Sequence, residues 1–228
     1  MIRNTVIIVI ATLMLASIKP SFADDGSAEG SAKLVVEQTI DKVLKVIAEP
    51  DFKTEGAAGE KHNQVLAILL DIVDMDRIGA LTLAQHRRDF NDEQFKEFTE
   101  LLSQLLFRTY IAHLEKYSNE KVVIDKAEEQ ENGRAKVATK TVSGDAEIPV
   151  EFSLFKNEDG EWKLYDVTIE GVSLIKNFRS QFKSMLMNKK PEQFIQELRQ
   201  KVQEQAQSDQ KDSGGKDSAA GAHPEESE

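Results

Sequence analysis

The chain has 228 residues, with 29 Lys and Arg against 40 Asp and Glu, a formal net charge of −11 and no cysteine. That acidity argues against nucleic acid, whose phosphates need a basic face, and against tight residence on an anionic membrane. Without thiols there are no disulfides, no thiolate metal sites and no lipoprotein anchor, and about 180 residues between the two terminal segments suit one domain with a substantial core.

The first 23 residues read as a secretory signal. Arg3 supplies the positive start, Thr5–Ile18 is an apolar run of 14 residues, too short to span a bilayer comfortably, and Ser21-Phe22-Ala23 offers small residues for cleavage. A mature chain from Asp24 loses Arg3 and Lys19 and no acid, so 27 cations face 40 acids and the net charge becomes −13. The alternative is a retained anchor. An exported protein without a lipid anchor is expected in the periplasm of a two-membrane bacterium.

Residues 24–202 hold the folded domain. Val36, Ile40, Val43, Leu44 and Ile47 mark a helix over about Ala32–Ala48, which Pro50 ends. A second helix spans about Glu60–Val73 and a short third one Asp74–Leu83, before a basic loop holding His86, Arg87 and Arg88. Asn91-Asp92-Glu93-Gln94 has the form of a capping box that opens a long helix to about Tyr117. Its stripe includes Phe95, Phe98, Leu102 and Leu105, broadened by Leu101, Leu106, Tyr110 and Leu114.

Past Asn119 the period changes from 3.6 to 2. Four strands are expected near Lys121–Glu129, Ala135–Val142, Ile148–Phe155 and Trp162–Ile169, joined by short turns as an antiparallel meander. A helix from Val172 to about Met187 follows, and then a last one, Glu192–Val202, with Pro191 as its opening residue. Gln203–Glu228 has no large aliphatic or aromatic residue and reads as a disordered acidic tail; a docking tail is the sharper alternative. The fold class is α+β: a four-stranded, curved antiparallel sheet against a layer of helices.

Along the third strand Ile148, Val150, Phe152 and Leu154 point one way. In the fourth, Tyr165, Val167 and Ile169 share a parity that Trp162 and Leu164 do not, which indicates a bulge near Leu164-Tyr165. An apolar strand face opposite apolar helices is either packed core or the wall of a cavity, and periodicity does not separate the two. Catalytic constellations are sparse. His62, His86, His113 and His223 lie in different segments with no metal-ligand spacing, and Gly171-Val172-Ser173 lacks the second glycine of a nucleophile elbow. A carboxylate or tyrosine base hidden in a sheet cavity stays open, as in small isomerases and dehydratases.

Three segments carry a resemblance. They are the aspartate-led helix Val73–Leu83, the long helix Phe95–Tyr117 with its Phe-x-x-Phe-x-x-Leu-Leu pattern, and the block Trp162–Ile175. Together they resemble the MlaC family of the Mla (maintenance of lipid asymmetry) system, also called the toluene tolerance auxiliary family, over roughly residues 30–203. Departures are Val73, Thr82, Ala84 and the acidic tail. The resemblance implies a monomeric periplasmic phospholipid carrier, not an enzyme and without cofactor or metal. Its expected partners are the MCE-domain protein of an inner-membrane ABC transporter and an outer-membrane lipoprotein–porin complex. The expected lipid pocket is walled by Phe98, Leu102 and Leu105 on the long helix and Val150, Phe152, Leu154, Tyr165, Val167 and Ile169 on the sheet. Val172 and Ile175 complete it, with Gly171 as the hinge of a lid.

Overall fold

The computed structural model describes residues 31–49, 58–115, 121–143 and 146–214. The expected signal segment, Pro50 and the end of the tail lie outside them. Among the described residues no helix is long and apolar enough to cross a membrane.

Helix α1 (Ala32–Ile47) starts where the Ser31 hydroxyl accepts a hydrogen bond from Leu34 N at 3.2 Å. A second acceptor comes from the sheet: Ala32 N donates to Glu129 Oε1 at 2.7 Å, which brings a carboxylate to the positive end of the helix. Helix α2 (Ala58–Ile72) packs on α1 through Val65 against Val43, Val46 and Ile47. Asp74 then caps α3 (Met75–Leu83), its Oδ1 accepting from Arg77 N at 2.7 Å. The expected basic loop is instead a 3₁₀ helix, Ala84–Asp89, entered through Ala84 at φ 51°. The capping box forms as read: Gln94 N donates to Asn91 Oδ1 at 2.9 Å and Asn91 N to Gln94 Oε1 at 3.0 Å, opening α4 (Asp92–Glu115).

The sheet follows as β1 (Lys121–Gln130), β2 (Arg134–Ser143), β3 (Ala146–Lys156) and β4 (Trp162–Ile169), antiparallel in sequence order. A fifth strand, β5 (Val172–Ser173), corrects the expectation of four. Glu170 and Gly171 both sit at positive φ, 49° and 81°, while Ile169 pairs with Val172, so a two-residue hairpin precedes the helix. Helix α5 therefore runs from Leu174 to Leu186, not from Val172. The sheet is open rather than closed.

The parity switch in β4 is a bulge at Tyr165. Ser153 pairs with Asp166 and Leu154 with Leu164, so Tyr165 is the extra residue. The bulge turns Trp162 and Leu164 to the same face as Val167 and Ile169. That face meets Ala32 and Val36 of α1, making one core with Ala135, Val137 and Leu154.

A larger core lies among α3, α4, α5 and α6 (Pro191–Gly214). Phe98, 0% exposed, is its centre, with ring centroids 5.6 Å from Phe182, 5.8 Å from Phe194 and 6.0 Å from Phe90. Tilted and edge-on arrangements of this kind add to the burial of the rings themselves. Helix α6 opens at Pro191 as expected but continues past Val202 to Gly214. Gln, Glu, Ala and Lys are all good helix formers, so the polar segment extends the helix without needing an apolar face.

Candidate functional site

Cross-strand pairing decides which predicted residues share a surface. Val150 pairs with Ile169, Phe152 with Val167, Leu154 with Leu164, and Ile169 with Val172. Residues directly opposite one another project from the same face of a sheet. Six of the eleven predicted positions (Val150, Phe152, Leu154, Val167, Ile169 and Val172) are thereby brought together on the face that meets α1. On β2 the same face carries Ala135, Val137, Thr139 and Thr141, opposite Leu154, Phe152, Val150 and Ile148. Thr139 is 2% exposed and its hydroxyl donates to Val150 O at 3.1 Å, so its polar group is satisfied within the sheet.

Burial along this face is graded. At one end Leu154 is fully buried and Ala135, Trp162 and Leu164 nearly so, beneath α1. In the middle Phe152 and Val167 are half-buried. At the far end Val150 and Ile169 remain half-covered, Ile148 is 37% exposed and Val172 58%. The apolar surface of the sheet outruns its helical cover. Exposed single apolar residues are ordinary, but these two continue one stripe with residues of the core.

Tyr165 stands apart. The bulge sends it to the opposite face, where its ring lies 6.1 Å from Phe155 and the Arg77 guanidinium sits 3.8 Å from the Phe155 centroid and 5.6 Å from that of Tyr165. Phe98, Leu102, Leu105 and Ile175 are also separate, all buried in the helical core. The structure thus divides the predicted wall between two cores. The stripe on α4 is wide enough for two partners, and its N-terminal half faces α3 and α6 rather than the sheet.

Beside that helical core lies an open cleft of about 490 Å³ between α4, α5 and α6. Phe178, Phe182, Met185 and Leu198 contribute apolar surface, Leu105 joins them from the predicted set, and Asn177, Lys201 and Glu204 are polar. The size falls in the usual range for small-molecule sites.

Sequence reading missed two structural groups. Asp166 accepts from the Ser173 hydroxyl at 2.5 Å through Oδ2 and from Ile175 N at 3.1 Å through Oδ1, fixing the start of α5. Leu164 is the anchor for the α2–α3 junction: Asp74 N donates to Leu164 O at 3.0 Å, and Val73 bridges it in parallel. A Ser ahead of the Leu174 helical pattern could have marked the Ser173 cap, which the expected helix start at Val172 passed over, and nothing local signals its carboxylate partner. Among the described residues no three His, Asp or Glu side chains group closely enough to hold a metal ion.

Comparison with known proteins agrees with this architecture. A solved phospholipid-binding protein from Ralstonia solanacearum, in complex with a phospholipid, superposes with a TM-score of 0.71 over 77% of this chain and 99% of its own, at 20% identity, which establishes a shared fold. The toluene tolerance protein ttg2D of Pseudomonas putida is 32% identical over 117 residues, 50% of this chain and about half of that protein's length (54%). The intermembrane phospholipid transport system binding protein MlaC of Haemophilus influenzae is 26% identical over 155 residues, 66% of this chain and 72% of that protein. With the family model of the MlaC protein matching residues 37–200, well over half of the sequence, the chain belongs to the MlaC family.

Proposed function

We propose that this protein is a periplasmic phospholipid carrier. Its acyl chains would lie along the sheet face that runs from Phe152 and Val167 out to Ile148 and Val172, with the head group in water. One observation carries the reading: in an MlaC-family chain, an apolar sheet face continuous with the core is left partly uncovered at one end. A carrier needs such a surface. Each methylene is worth about 0.8 kcal/mol on burial, so two acyl chains of ordinary length cost roughly 20 kcal/mol or more to expose to water. The groove must match the bilayer's hold on the lipid without greatly exceeding it, or unloading fails. The partners consistent with the family are the MCE-domain protein of an inner-membrane ABC transporter and an outer-membrane lipoprotein–porin complex, with the protein shuttling between them to maintain outer-membrane lipid asymmetry.

The test is native mass spectrometry of protein purified without detergent. Wild type should carry an added mass matching a diacyl phospholipid. Ile148→Glu/Val172→Glu, at positions already exposed, should fold with unchanged circular dichroism and lose that mass, because each charge would sit in hydrocarbon. Wild type free of lipid would overturn the reading in favour of the runner-up, a small-molecule enzyme. Full lipid in the double variant would move the site off this face, and the cleft between α4, α5 and α6 would be examined next by Phe178→Glu.

A further inference from the structure

The residues from Gly171 to Pro191 contain five cations (Lys176, Arg179, Lys183, Lys189 and Lys190) and no acid, in a chain whose net charge is −11. Most of this stretch is α5. Its buried side holds Ile175, Phe178, Phe182 and Leu186. Along one flank of its exposed side Lys176, Ser180, Lys183 and Met187 follow at i, i+4, i+7 and i+11, a nearly straight line on a helix, and all four are exposed. Met187 is 68% exposed, more than any other large apolar residue described.

Two of the five cations are committed within the fold. Arg179 Nε donates to Leu81 O at 2.8 Å, and Lys189 pairs with Glu197. Lys176, Lys183 and Lys190 have no ion-pair partner among the described residues. Local helix stability accounts for Lys183, in the last turn, where the dipole favours positive charge. It does not account for Lys176, in the first turn, where the dipole opposes it. The neighbouring 3₁₀ helix, which packs on α5, adds Arg88, exposed and likewise without an ion pair.

We infer that this face of α5 docks the protein on an anionic bilayer surface. Three of the four free cations, Lys176, Lys183 and Lys190, are lysines, flexible point charges suited to a fluid layer of phosphate head groups rather than to the fixed fork geometry by which arginine reads one carboxylate. An apolar residue, Met187, in line with Lys176 and Lys183 is the arrangement of a helix lying at a membrane interface, and Lys190 follows just past the helix end. The rest of the acidic chain is repelled by the same surface, so the patch sets orientation and keeps contact brief. This goes beyond the carrier reading and does not depend on it.

Sedimentation with vesicles tests it on the full mature chain. The protein should bind phosphatidylcholine vesicles that contain phosphatidylglycerol, should not bind pure phosphatidylcholine, and should be released by high salt. Lys176→Gln/Lys183→Gln/Lys190→Gln should weaken binding on the order of 100-fold, since each basic residue near a charged surface contributes about a factor of five. Lys126→Gln/Lys136→Gln/Lys140→Gln, on the sheet face away from α1, changes net charge equally and should retain wild-type affinity. Equal loss in both triple variants would reduce the effect to net charge and overturn the proposal. So would equal binding to neutral vesicles, or binding to no vesicle, which would turn the patch toward an acidic protein. Co-purifying lipid should be the same in the α5 variant and in wild type, which keeps this outcome separate from that of the carrier reading.

Discussion

Removing the carboxylate of Asp166 should loosen the start of α5. Its two oxygens each accept one hydrogen bond, from the Ser173 hydroxyl at 2.5 Å and from Ile175 N at 3.1 Å, in a partly buried setting. Hydrogen bonds to charged groups contribute about 1.5–3 kcal/mol each, and partial exposure places these at the lower end, so Asp166→Ala should cost about 3 kcal/mol. In a domain of this size that lowers Tm by roughly 6–12 °C. Asp166→Asn keeps one acceptor oxygen and should cost about half as much. Ser173 serves twice, donating to Asp166 and accepting from Lys176 N at 3.1 Å, so Ser173→Ala alone should cost about 2 kcal/mol and the two losses should not add. Urea denaturation with unchanged m-values measures all four corners of that cycle. A loss below about 0.5 kcal/mol for Asp166→Ala, or strict additivity with Ser173→Ala, would show that the clasp does not hold the helix.

Gly79→Ala should destabilise although alanine is the better helix former by about 1 kcal/mol, because the new methyl would stand 2.6 Å from Thr99 Cγ2. In a Thr99→Ser background, which removes that methyl, the same change should become stabilising, and thermal melts of the three variants decide it. Truncation after Val202 should lower Tm by roughly 2–4 °C, since α6 continues to Gly214 and Glu204 and Gln205 line the cleft; an unchanged Tm would show that the added turns contribute nothing. On the sheet surface, hydrogen bonding to Lys126 holds Glu128 below the ordinary 4.5, and Lys163 with Asn157 does the same for Glu161. Stability from a depressed carboxyl is present above its unfolded value and lost as pH falls through the folded one. The difference in Tm between wild type and Glu128→Gln/Glu161→Gln should therefore be constant at neutral pH and close below pH 4.5. Lys126 is raised above 10.5 by the same hydrogen bond, so its share persists through neutral pH and fades only as pH climbs through that raised value.

The elements legible in the sequence were those with short-range causes. Asn91 and Gln94 form the box that their spacing announced, Asp74 caps α3, and Pro191 opens α6. The bulge at Tyr165 was legible as a parity conflict, since no flat strand could satisfy Trp162, Leu164, Val167 and Ile169 together. What escaped depended on partners distant in sequence or on backbone conformation. A helical pattern from Val172 hid the hairpin, because Val172 and Ser173 suit a strand equally well and Glu170 is not a residue that advertises positive φ. The shared face of Val150, Phe152, Val167 and Ile169 was legible on the sheet, where period 2 assigns faces, whereas on α4 a broad stripe cannot say which side meets which core.

The block Trp162–Ile175 is the most recognisable part of the chain because nearly every position in it has a separate physical task. Trp162 and Leu164 fill the core under α1, while Leu164 also receives the α2–α3 junction through its carbonyl. Tyr165, displaced by the bulge, sits with Phe155 beneath the Arg77 guanidinium, tying α3 to the far side of the sheet by a contact worth about 0.5–2 kcal/mol. Asp166 reaches over to Ser173 and Ile175, Val167 and Ile169 extend the apolar face, and Glu170-Gly171 turn the chain back so that Val172 lies beside Ile169. Substitution at one position disturbs a helix junction, at the next a helix start, and at the next the proposed lipid surface. The bulge couples them: with Tyr165 as the extra residue, Leu164 pairs with Leu154 while Asp166 pairs with Ser153 and still reaches Ser173. An apolar strand face and the frame that supports it are thus written into one stretch of fourteen residues.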